Sequence, residues 1–131
     1  MEAKKIIITG SATRIGAEIA KSLANYDVEI TLHYKSSFKE VNKLKSELES
    51  LGSKVFLIKA DLSKTLQTKK IISFGNKMMK GLDCLINNAS IFENDKLENF
   101  SSSSWGKHLS INLKAPAILS REFGKNIKGK N

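Results

Sequence analysis

Four short segments carry the residues that could do chemistry. The first is "TGSATRIG", Thr9 to Gly16, which follows an isoleucine-rich run and opens a helical pattern at Arg14. A strand, a glycine turn and a helix N-terminus together cradle phosphate, because backbone N–H groups and the helix dipole both favour an anion there. Arg14 stands where a dinucleotide loop places its second glycine. A cation in a first helical turn opposes the macrodipole, so this guanidinium calls for an anionic partner. The second segment, "HYKSS", ends a predicted strand with Tyr34, Lys35, Ser36 and Ser37 and no carboxylate. The third is Asp61-Leu62 in "ADLS", and the fourth is "NNASIF", which contains Asn88, Ala89, Ser90 and Phe92. Farther along, Pro116 lies four residues after Asn112 and cannot donate to its carbonyl. That carbonyl is then free to hold a water in a locally kinked helix; a kink without function is the other reading.

These segments need a scaffold that brings them together. "KKIIIT" is an isoleucine-rich strand suited to a sheet covered on both faces. Helical spacing recurs from Arg14 to Asn25 through Ile15, Ile19, Ala20 and Leu23. Val28–Tyr34 is a second strand, and "FKEVNKLKSELESLG" is an amphipathic helix with Val41, Leu44, Leu48 and Leu51 on one stripe. A third strand runs from Lys54 to Lys59, a helix from Thr65 to Met79, and a fourth strand through "DCLINNAS". The serines 101–104 offer an N-cap for one long last helix through Trp105, Leu109, Leu113 and Ile118. Strict alternation implies right-handed crossovers and an α/β fold, a doubly wound parallel sheet of Rossmann type. Ligands of such sheets bind at the carboxyl ends of the strands. All four chemical segments fall at those ends.

The chain has 131 residues, 40% of them hydrophobic, which suits a single domain over 1–131. It contains no apolar run of membrane-spanning length and no leader pattern at its N-terminus, so a cytoplasmic protein is expected. The lone Cys84, in the apolar run "LDCLI", reads as a buried, inert thiol. The net charge of +9 is almost wholly lysine, spread along the chain without interleaved aromatics. That distribution argues against a nucleic-acid interface, though a positive field helps recruit a polyanionic ligand. His33 and His108 have no partners at metal-ligand spacing, and no metal is assigned. Trp105 and the Met78-Met79 pair read as packing residues.

The motifs in order resemble the short-chain dehydrogenase/reductase family. The glycine loop matches T-G-x-x-x-G-x-G, Asp61-Leu62 the acidic-apolar pair after the third strand, "NNAS" the family's N-N-A-G, and Asn112 its long-helix asparagine. Arg14 resembles the pteridine reductase-like branch, whose members use NADPH. The resemblance implies NADP(H) bound by Gly10, Ser11, Arg14, Ile15, Gly16, Tyr34, Lys35, Ser36, Ser37, Asp61, Leu62, Asn88, Ala89 and Ser90. Physical logic agrees on the form of the cofactor: an acid at the second strand's end would hold a ribose 2′-hydroxyl, whereas Arg14, Lys35 and two hydroxyls suit a 2′-phosphate. By the same resemblance Asp61 would meet the adenine amine, Asn112 would anchor a catalytic proton-relay water, and Phe92 would sandwich a pterin. A helix-capping Asp61 and a core-packed Phe92 are the alternatives.

The family's chemistry needs Tyr-x-x-x-Lys, and none occurs: Ile30 and Phe38 lie four residues beyond Tyr26 and Tyr34. The expectation is therefore the amino-terminal, cofactor-binding half of a carbonyl or pterin reductase, with a sheet incomplete on its C-terminal side and no activity alone. A non-catalytic dinucleotide-binding protein is the alternative, and a basic nucleic-acid binder a third. A strand order of 3-2-1-4 would leave "CLINNA" at an edge and uncover a stripe of Trp105, Leu109, Leu113 and Leu119. Self-association, most simply a two-fold homo-oligomer, is expected to cover them.

Overall fold

Ile6, Ile7 and Ile8 show how the chain builds two cores from one strand. Side chains alternate across a strand, so Ile6 and Ile8 enter one hydrophobic layer and Ile7 the other. All three are buried. The computed structural model describes residues 2–127. In chain order it contains β1 (Lys4–Ile8), α1 (Arg14–Leu23), β2 (Val28–Tyr34), α2 (Phe38–Ser50), β3 (Lys54–Lys59), α3 (Thr65–Met79), β4 (Cys84–Ile86) and α4 (Ser102–Leu109). A π-helical turn, Ser110–Lys114, then leads into α5 (Ala115–Ile127).

The four strands form one parallel sheet in the order β3-β2-β1-β4. Ile8 lies beside Leu32 on one side and Ile86 on the other, so β1 and β4 end level while β2 runs on to Tyr34 beside Lys59. Ala17, Ala20, Val41, Leu44 and Leu48 from α1 and α2 cover one face with Ile30 and Leu32. Ile71, Ile72 and Met79 from α3, with Ile111, Ala115 and Leu119, cover the other around Ile7. This is the doubly wound α/β arrangement expected from strand–helix alternation.

Several boundaries and side-chain assignments differ from the sequence expectation. Ile15 is 70% exposed, and the small residues Gly16, Ala17 and Ala20 are what α1 buries, with Ala24 buried at its C-cap. Within the first turn of α1, Arg14 and Ile15 are exposed while Gly16 and Ala17 are buried. The fourth strand stops at Ile86; Asn87 to Ser90 are loop. The expected long last helix is broken by the π turn, in which Ala115 N–H bonds Ser110 O, five residues back. Pro116 has no N–H to give, and the widened turn just before it shifts the helical register. The shift decides which residues face the core. Ile111, Ala115, Ile118 and Leu119 are buried, while Trp105, Leu109 and Leu113 are exposed. Leu119, expected on the uncovered stripe, belongs to the core, and Trp105 packs on Phe100 at 5.9 Å between ring centroids. Cys84 is only half-buried, and burial with nearby Asp83 pushes its thiol up from the ordinary value. Among the described residues no helix is long and apolar enough to cross a membrane.

The two isoleucine environments differ in a measurable way. Ile7→Ala should lose about 2–5 kcal/mol of stability in a denaturant titration, because it opens a cavity in the core. Ile15→Ala should stay within about 0.5 kcal/mol. Equal losses at the two positions would contradict the placement of the first turn of α1.

Candidate functional site

The loop after β1 is held by a set of short polar contacts. Thr9, 1% exposed, accepts the N–H groups of Asn88 and Ala89 on its Oγ1, each at 3.0 Å. The Asn88 amide returns two bonds, from Nδ2 to the carbonyls of Thr9 and Gly10, both at 3.0 Å. These contacts draw the β1 and β4 loops so close that two positions have no room for a side chain. A Cβ on Gly10, whose φ is +61°, would lie 2.8 Å from Ala89 Cα. One on Gly16 would strike the Gly10 carbonyl and lie 2.6 Å from Asn88 Nδ2. Ser11 is fully buried; its hydroxyl donates to Ile8 O at 3.0 Å and lies 3.2 Å from His33 O, and its N–H donates to His33 O. Its polar groups are thus committed to the frame of the loop.

Arg14 begins α1 with φ +53°, in the left-handed region that a branched or long side chain rarely adopts. That geometry explains why glycine suits this loop position. The strain costs on the order of 1–2 kcal/mol, and nothing in the fold repays it locally. Among the described residues the Arg14 side chain makes no hydrogen bond or ion pair. The N-cap Thr13 makes no side-chain cap bond, and the first turn of α1 contains no acid. The first N–H groups of a helix have no intrahelical partner, so this end presents free donors and a guanidinium together.

A crevice of about 540 Å³ runs along the strand ends. Of the residues expected at a site, Gly10, Arg14, Ile15, Gly16, Lys35, Asp61, Leu62, Asn88, Ala89 and Ser90 line it. Lys35 Nζ lies 3.3 Å from Asp61 Oδ2, so the acid missing from the end of β2 is supplied from behind β3. Asp61 Oδ1 accepts the Ser63 hydroxyl and N–H at 2.7 and 2.9 Å. Those two bonds, with Lys35 adding to them, hold the carboxyl below the usual range. Asp61 thus shapes the turn into α3 as well as facing the crevice.

Other expected residues lie around the crevice without lining it. Tyr34 packs on Phe38 at 6.1 Å between ring centroids. Ser36 and Ser37 follow Lys35 at the start of α2, where Ser37 makes no side-chain cap bond. Phe92 is 87% exposed, so the reading of it as a core residue is corrected. Asn112 uses its whole amide on Ile91: Oδ1 accepts Ile91 N–H and Nδ2 donates to Ile91 O, each at 2.8 Å. It therefore anchors the loop that lines the crevice.

Sequence reasoning missed His33 and Lys107, both in the lining. His33 is 3% exposed; its Nδ1 accepts Gly10 N–H at 3.1 Å, and its Nε2 lies 2.9 Å from Ala60 O. Lys107 pairs with Glu93, and that hydrogen bond holds the Glu93 carboxyl low. The only available signal was position: His33 is the penultimate residue of β2, and Lys107 lies in the helix six residues after its Ser101 cap. Among the described residues no group of three or more His, Cys, Asp or Glu could hold a metal ion.

The family model for short chain dehydrogenases matches residues 4–131. The chain belongs to the short-chain dehydrogenase family. A short-chain dehydrogenase/reductase from Pestalotiopsis microspora is 27% identical over 127 residues, covering 97% of this chain and 48% of that protein. A short-chain dehydrogenase of Burkholderia cenocepacia in complex with NADP superposes with TM-score 0.92 at 26% identity, covering 95% of this chain and 51% of the other. A blue fluorescent protein from a metagenomic library, in complex with NADPH, gives TM-score 0.90 at 27% identity over the same shares. The chain thus spans about half the length of these short-chain dehydrogenase relatives.

The glycine loop yields a pair of opposed predictions. Gly16→Ala should destabilise the chain by about 1–3 kcal/mol, since its methyl meets backbone and not a flexible side-chain end. Arg14→Gly should raise stability by about 1 kcal/mol by relieving the positive φ. Thermal or denaturant unfolding of both variants tests this. A loss of stability for Arg14→Gly would mean that the guanidinium supports the fold itself.

Proposed function

We propose that this chain binds NADP(H) and forms the cofactor-binding half of an oxidoreductase of the pteridine reductase-like branch, reducing a carbonyl or a pterin. One observation carries the reading: Arg14 sits unpaired in a strained conformation at the N-terminus of α1, on the crevice that Lys35 also lines. A 2′-phosphate offers both cations charge-assisted hydrogen bonds, and the anion gains from the helix dipole. Asp61 offsets one of the two positive charges, so Arg14 supplies the net attraction. The fit of a dinucleotide is supported by Gly10 and Gly16, whose missing side chains let the β1 and β4 loops pack closely beside the crevice. NADP and NADPH in the two superposed structures support the same cofactor.

Bound NADPH supplies a hydride; this chain's own residues bind and orient it. Arg14, Lys35, Ser36 and Ser37 take the 2′-phosphate end, Asp61 and Leu62 the adenine side, and Asn88, Ala89 and Ser90 pass beside the inner ribose and nicotinamide. Asn112, through Ile91, fixes the loop leading to Phe92, the substrate-side aromatic. No Tyr-x-x-x-Lys occurs in the 131 residues, so the proton donor is not among them. A non-catalytic dinucleotide-binding role rests on that same absence. The partner of the exposed β4 edge and of Trp105, Leu109 and Leu113 is, in this reading, a second copy of the chain related by a two-fold axis.

NADPH should bind more tightly than NADH in a low-salt titration, with Arg14→Ala removing most of a difference of about tenfold or more. The same protein should turn over neither pterins nor quinones, since general-acid catalysis worth about 10²–10⁴-fold is missing. Equal affinities for the two cofactors would overturn the cofactor reading, and turnover that scales with protein would overturn the second.

Sedimentation across a concentration series should show a dimer, weakened by Leu113→Glu. A monomer at every concentration would show that the edge and helix face stay uncovered.

A further inference from the structure

His33 is the one buried ionisable side chain at the crevice that the cofactor reading leaves without a role. It joins three elements at their ends. It belongs to β2, its Nδ1 accepts the Gly10 N–H of the loop after β1, and its Nε2 donates to Ala60 O after β3. The tautomer follows from the partners: an N–H cannot donate to a protonated nitrogen, so Nδ1 carries no proton and Nε2 does. The bond to Gly10 matters because Gly10 has a positive φ and lies against Ala89, with its carbonyl already held by Asn88. Its N–H and C=O are therefore both fixed, one by His33 and the other by Asn88. Ser11 N–H and hydroxyl add two contacts to the His33 carbonyl, so side chain and backbone of one residue hold two successive loop residues.

We propose that His33 is a positioning residue of the dinucleotide site, an uncharged clasp that sets the Gly10 peptide and is released by protonation at Nδ1. The proposal rests on the cofactor reading for its ligand and on the geometry alone for the clasp. A proton on Nδ1 would turn the acceptor into a donor facing the Gly10 N–H. Burial already holds the imidazole below its ordinary 6.5, with the Ala60 carbonyl acting in the opposite direction. The charged groups on the same crevice are Arg14 from α1, Lys35 after β2, Asp61 after β3 and Lys107 from α4, the last paired with Glu93. β1 ends here in Ile8, followed by the uncharged Thr9 and Gly10, and the buried residues of α2 are Val41, Leu44 and Leu48. Because the folded value lies below the unfolded one, stability is complete above about pH 6.5 and falls as pH drops from there toward the folded value.

The test compares wild type with His33→Asn, whose side-chain carbonyl can take the place of Nδ1 but cannot titrate. Calorimetric titration with NADP+ from about pH 7.5 to about pH 5, with circular dichroism to follow folding, gives the affinities. The 2′-phosphate titrates near pH 6 for both proteins, so its effect cancels in the comparison. Wild type should lose about tenfold more affinity than His33→Asn over that range. In wild type without ligand, the Gly10 amide resonance should shift with the same midpoint as the His33 ring protons, below about 6.5. Parallel affinity profiles in the two proteins, or a Gly10 amide that ignores the ring, would overturn the proposal. If His33→Asn does not fold, the resonance titration decides alone. Absence of NADP+ binding at neutral pH would overturn the cofactor reading, while the ligand-free titration still tests the clasp.

Discussion

The reciprocal bonding between Thr9 and Asn88 is the constraint on which the crevice depends. One hydroxyl accepts two successive N–H groups of the β4 loop, and one amide reaches back to two successive carbonyls of the β1 loop. Bonds of this kind contribute roughly 1 kcal/mol each when made and cost more when a buried partner is left alone. Their larger effect is geometric. They close the gap between loops until only glycine fits at positions 10 and 16, and they leave the end of α1 pointing along the crevice. β1 lies next to both β2 and β4 in the sheet, so the same lock aligns the loops on either side of it.

Stability and ligand recognition pull in different directions at Arg14. The loop geometry asks for a left-handed residue without a side chain, and the chain places its longest cation there. Some lysines elsewhere on the surface form weak exposed pairs, such as Lys21 with Glu18 and Glu47. Among the described residues Arg14 has no such pair. A strained, unpaired cation at a helix N-terminus is a local conflict, and conflicts of that kind concentrate where a protein meets a ligand.

Much of this was legible in the order of residues. The three isoleucines of β1, the cap at Ser101 and the stripe of Val41, Leu44 and Leu48 each have a local signature, and the fold follows from their alternation. The crevice was legible because its polar residues all fall at strand ends. What escaped were features that arise only when distant segments meet. Nothing near His33 in the chain indicates that Gly10 and Ala60 will be its partners, twenty-three and twenty-seven residues away. Helical spacing grouped Ile15 with Ile19, Ala20 and Leu23, but it does not show which of them stays exposed. Pro116 announced a disturbed helix, but the choice between a bend and a widened turn depends on how α5 must sit on β1 and α3.

That widened turn works as a phase adjuster. A π turn takes up more residues than an α turn, and each residue of an α-helix advances the side-chain direction by about 100°. Upstream of the turn, Trp105 and Leu109 face outward; downstream, Ala115, Ile118 and Leu119 face the sheet. Two helical segments that read as one rod are therefore geared differently, one to the outside and one to the inside. Deleting a single residue from 110–114 would leave a smooth helix whose halves no longer mesh with their respective surroundings. Asn112 sits within the gear itself, so the loop it grips at Ile91 is tied to the same setting.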